Sequence, residues 1–199
     1  MMERLTKIIA LLFLFTIASL GLVDKTWAQD SQLKQQLTDI SQKADKQAAL
    51  EELRNLYNSP VLNMGEKAEV SLSQGRVLFT LHQYNQGIDA VNNAIELAQQ
   101  SKLFSLKAQA DKMLGILFYY QGELKPALKA YQISLAYYDD NQILGTNMFA
   151  IERANLLNNI ALVYTSLGQS NLALVNYQLA EPLYAQYGNE EDKIDVRYN

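Results

Sequence analysis

The chain has 199 residues, 49% of them hydrophobic, with a formal charge of −4 and no cysteine. That length suffices for one ordinary domain. The mild, dispersed negative charge excludes the basic footprint of a nucleic-acid binder, and the missing thiols exclude disulfides, a lipid-modified cysteine and any Cys-based metal site. Three prolines and nine glycines leave little room for a flexible linker.

The first 28 residues stand apart. Arg4 and Lys7 precede an apolar run from Ile8 to Val23. Sixteen residues rising ~1.5 Å each reach roughly 24 Å, short of the ~30 Å hydrocarbon core. Thr26-Trp27-Ala28 follows, with small residues at its first and third places. A charged start, a short apolar middle and such an ending predict a secretory leader, 1–28, removed after Ala28. The expected location is therefore exported, secreted or periplasmic. The alternative is a membrane anchor formed by residues 8–23, the only route to membrane contact.

Residues 29–60 are polar and helix-prone, with Leu33, Leu37, Ile40, Leu50, Leu53, Leu56 and Tyr57 in helical register. They predict one or two amphipathic helices, serving as an N-terminal cap or as a short coiled-coil seam. Asn58-Ser59-Pro60 ends them, because Pro60 disfavours helical geometry at Ser59.

From Ala68 onward one pattern occurs three times. Ala68, Gly75, Leu78, Gly87, Val91 and Ala94 share their spacing with Ala108, Gly115, Phe118, Ala127, Tyr131 and Ser134, and again with Ala154, Ala161, Tyr164, Ala173, Tyr177 and Ala180. Starts at 68, 108 and 154 give periods of 40 and 46, the range of stacked helical hairpins. The repeats cover about 68–101, 108–141 and 154–187 within a solenoid of 61–188. In the second, Leu106–Gln121 and Leu124–Tyr138 are the expected helices, with Gly122 at a left-handed helix end and Pro126 in the first turn of the next helix. Gly168 holds the equivalent place in the third repeat and His82 in the first. Pro182 should kink or end the last helix, and 189–199 is a short charged tail.

Few residues offer chemistry. His82 is the only histidine. No Gly-x-Ser-x-Gly elbow, phosphate-cradling glycine loop or calcium loop is present. The expectation is a chain that is not an enzyme, uses no cofactor or metal, and shows no evident small-molecule substrate.

These residues resemble the tetratricopeptide repeat. Its small eighth position appears as Gly75, Gly115 and Ala161, its large eleventh as Leu78, Phe118 and Tyr164, and its twentieth as Gly87, Ala127 and Ala173. The long spacing resembles the longer-helix variety found in kinesin light chains. The resemblance implies an all-α, right-handed solenoid of about three hairpins with an N-terminal helical segment. It also implies a groove lined by the first helix of each hairpin. Mapped residue by residue, the groove holds Glu69, Leu72, Ser73 and Arg76, then Lys112, Met113, Tyr119 and Tyr120, then Asn158 and Asn159. In tetratricopeptide co-chaperones lysine, arginine and asparagine at such places hold partner carboxylates. The resemblance thus implies an acidic or C-terminal peptide across Arg76, Lys112, Tyr119 and Asn158, and a protein or peptide as partner. Two other readings stand beside this scaffold. The chain could be the regulatory or docking portion of a larger enzyme, or a self-associating structural protein.

Overall fold

A computed structural model describes residues 30–140 and 147–188. The expected leader and the tail 189–199 lie outside them. Two compact units divide the chain, Met1–Lys43 and Ala44–Asn199.

In the first unit a helix, α1, covers residues 30–42, with Leu33, Leu37 and Ile40 buried. In the second unit every regular element among the described residues is a helix. The elements are α2 (Lys46–Tyr57), α3 (Met64–Thr80), α4 (Tyr84–Gln100), α5 (Phe104–Gln121), α6 (Leu124–Asp140), α7 (Asn147–Ser166) and α8 (Ser170–Tyr187). Local chemistry sets their starts. The Asp45 carboxylate accepts from the N–H groups of Gln47 and Ala48, both at 3.0 Å. At α3, Asn63 and Glu66 cap each other's backbone reciprocally, Glu66 N–H donating to Asn63 Oδ1 at 3.0 Å and Asn63 N–H to Glu66 Oε2 at 2.7 Å. α2 stops at Tyr57, as the Asn58-Ser59-Pro60 sequence requires.

The three repeats are the hairpins α3–α4, α5–α6 and α7–α8, stacked in chain order, with α2 packed on α3. Small residues let the two helices of a hairpin close. A Cβ on Gly75 would stand 2.4 Å from Val91, and one on Gly115 would stand 2.5 Å from the Tyr131 ring. Apolar side chains join successive hairpins. Leu72 and Val91 of the first cluster with Ala110, Met113 and Leu117 of the second. Tyr131 and Tyr138 of the second cluster with Leu156, Ile160 and Val163 of the third.

Several details differ from the sequence reading. Pro182 neither ends nor shortens α8, which continues to Tyr187; one missing N–H on an exposed side is tolerated there. Of the three tyrosines in the repeat pattern, Tyr131 is buried, whereas Tyr164 and Tyr177 are half-buried. Gln74, which replaces an apolar residue of the other repeats, donates to the Leu53 carbonyl of α2 at 3.2 Å.

Candidate functional site

The first helices of the hairpins, α3, α5 and α7, carry the predicted groove residues. Arg76 on α3 is exposed, Lys112 on α5 is half-buried, and Asn158 and Asn159 on α7 are half-buried. Leu72, Ser73 and Met113 do not line this surface. They are buried, at 2%, 4% and 6% exposure, with Leu72 and Met113 in the seam between the first two hairpins. Steric need for packing between hairpins takes these positions away from a ligand.

The charges are already organised. Lys112 Nζ donates to Glu152 Oε2 of α7, tying the second hairpin to the third. Glu152 also acts on Arg76, as does Glu69. Surrounding side chains lower the Arg76 pKa from its ordinary value by desolvation, and the two carboxylates act to raise it. The guanidinium therefore sits among protein groups yet keeps one side open to water, and it remains a cation. Glu152 is the residue that the repeat register missed. It precedes the mapped start at Ala154, and it reaches the face because α7 begins at Asn147 and runs for 20 residues.

The two adjacent tyrosines point to different neighbours. The Tyr119 hydroxyl lies 3.2 Å from Ser166 Oγ, a second link from α5 to α7. Tyr120 is 59% exposed and joins an aromatic group at the turn end of the first two hairpins. Its ring centroid lies 4.9 Å from Phe79, edge-on, and 6.4 Å from Tyr84. His82 is exposed in the adjoining turn, with Nδ1 2.9 Å from the Tyr84 hydroxyl. Asn158 Oδ1 is sealed from solvent and accepts no hydrogen bond among the described residues. Such an orphaned acceptor costs about 1–3 kcal/mol, which a donor reached by side-chain rotation would recover.

Away from this face, Asp111 is buried beside Lys107, whose Nζ lies 2.7 Å from Oδ2. Desolvation raises the Asp111 pKa above its ordinary value, while Lys107 opposes the rise. Among the described residues, no group of three or more His, Asp or Glu could hold a metal ion, and no helix is long and apolar enough to cross a membrane.

No protein-family model matches the sequence, and no curated protein sequence matches it. Solved structures do match its fold. One is the Rap conjugation gene regulator of plasmid pLS20 in complex with the Phr* peptide, at TM-score 0.64 and 16% identity over 80% of this chain and 42% of that one. Another is the BtubC protein of P. vanneervenii, at TM-score 0.57 and 17% identity over 82% of this chain and 62% of that one. A kinesin light chain of Podosopora anserina with TPR-like repeats matches at TM-score 0.64 and 12% identity, over 84% of this chain and 82% of that one. The chain thus spans less than two thirds of the Rap and BtubC chains. At these identities the likeness concerns fold, and the fold is a tetratricopeptide-like helical solenoid.

Proposed function

We propose that this chain is a non-enzymatic protein-interaction scaffold that holds a peptide segment of a partner across α3, α5 and α7. The observation that supports the proposal is the charge cluster across the three hairpins, in which Lys112 of α5 pairs with Glu152 of α7 and Glu152 also acts on Arg76 of α3. The fold likeness to a regulator solved with a peptide supports a peptide as the ligand class. Arg76, the open cation, anchors an acidic group of the peptide. The backbone of the peptide supplies a donor to Asn158, and an apolar side chain rests against Tyr119 or Tyr120. Lys112 joins only if the ligand competes with Glu152, so Glu152 tunes affinity for acidic segments.

The test uses the mature chain as bait in the exported fraction, followed by affinity measurements with the recovered partner at two salt concentrations. A charge-assisted hydrogen bond contributes about 1.5–3 kcal/mol, so Arg76→Ala/Lys112→Ala should weaken binding by ~100-fold or more. Glu152→Gln should strengthen binding of an acidic segment by roughly tenfold, because it frees Lys112. Unchanged affinity in both variants at both salts would place the working surface elsewhere.

We also propose export with removal of residues 1–28. Trp27 is the only tryptophan, so the mature form should begin at Gln29 and lack tryptophan emission. Tryptophan fluorescence in the purified exported protein would refute that cleavage point.

A further inference from the structure

α8 has two apolar sides. Ala173, Ala180 and Tyr184 are buried, with Ala180 and Tyr184 clustered against Ala154 and Leu157 of α7. A second line is turned to water. Leu172, Val175 and Leu179 are 47%, 50% and 49% exposed, and Pro182 continues the line, also exposed. From 172 to 182 the steps are three, four and three residues. That alternation keeps side chains on one stripe and is the spacing with which one helix packs along another. Gln186, at the next step of four, ends the stripe with a polar group. The outward residues of α4 show the ordinary condition: Asn85, Gln86, Asp89, Asn92 and Glu96 are exposed and polar.

Charge narrows the choice of occupant. Glu181 is the only charged residue among the 18 of α8. At 100° per residue it lies well away from the stripe, which the uncharged Asn171 and Gln178 flank on one side and Asn176 on the other. Flanking charges are what usually set partner choice between helices and forbid like-with-like pairing. Along α8 itself no like charges oppose an identical copy, and a charged partner would find no complement on that helix. We propose that the stripe is a self-association face, on which α8 of one copy packs antiparallel to α8 of a second copy. The two-fold axis passes between Val175 and Leu179, so that Val175 of each copy meets Leu179 of the other. A two-fold contact uses the same patch on both copies, and this patch is complementary to itself. The stripe is only about 15 Å long, so the pairing is reversible and concentration-dependent. It does not depend on the peptide-binding reading, because the surfaces differ.

Sedimentation equilibrium of the mature chain through the micromolar range tests the pairing. The mass should rise from one copy towards two. Leu172→Lys/Leu179→Lys alters exposed side chains only and should keep wild-type helicity by circular dichroism. It should weaken association at least tenfold. Since the chain has no cysteine, an equimolar mixture of Val175→Cys and Leu179→Cys chains should give a disulfide-linked dimer on mild oxidation. Lys125→Cys, on the exposed side of α6, should not. A single-copy mass at every concentration, an undiminished dimer in the double-lysine variant, or equal cross-linking by Lys125→Cys would each overturn the proposal.

Discussion

His82 and Lys102 adopt positive φ, 57° and 59°, at turns where Gly122 and Gly168 adopt 87° and 71°. All four turns close alike. The N–H following the left-handed residue reaches the carbonyl five positions back, from Gln83 to Leu78, Leu103 to Ala98, Glu123 to Phe118 and Gln169 to Tyr164, at 2.8–2.9 Å. A side chain in that conformation costs about 1–2 kcal/mol, partly offset because glycine loses more entropy on folding. Lys102→Gly should therefore raise stability by about 0.5–1 kcal/mol in denaturant melts. His82 is the less clean site, since its ring also meets Tyr84. At Asp111, the raised native pKa means that burial penalises the charged form. That penalty is fully present above the native pKa and is relieved as pH falls towards the unfolded value near 4. Asp111→Asn should remove this site's gain in stability on acidification, seen as a flatter dependence in melts from neutral pH down to about pH 4. Left-handed turns at glycine were readable in the sequence. Lys102 was not, because nothing in Ser101-Lys102-Leu103 marks a turn and neighbouring helices impose it.

Within the helices, close approach decides which residues can stand where. Gly115 meets the face of Tyr131, a buried ring that cannot withdraw. Gly115→Ala should cost about 1–3 kcal/mol despite the higher helix propensity of alanine, measurable as a lowered melting midpoint. Gly87 departs from the alanine that the repeat resemblance implies, and the space is used. A Cβ there would lie 2.8 Å from Leu117 of the next hairpin. The helix pairs and the breaks at Pro60, Gly122 and Gly168 were legible from periodicity, proline and glycine, whereas the break at Lys102 was not. The Lys112–Glu152 pair was not, because a repeat register places residues relative to the repeat start. It contains nothing about how far α7 extends before it.

At the scale of the solenoid, no hairpin owns its core. Tyr131 and Tyr138 are buried only because Leu156, Ile160 and Val163 cover them together with their own hairpin. A fragment 29–140 should therefore expose that cluster and melt lower and less cooperatively than the full chain, since interfaces between neighbours carry most solenoid stability. A fragment melting as high and as sharply as the whole would refute shared cores. By itself the sequence determined an all-helical, three-hairpin stack, because small and large residues recur at fixed spacing and spacing alone sets a helix face. Only the tertiary structure decided that Lys112 is held by Glu152, that Leu72 and Met113 are packing residues, and that α8 presents a second apolar stripe. Those outcomes depend on how far each helix extends and which neighbour covers it, distances between segments that no local pattern encodes.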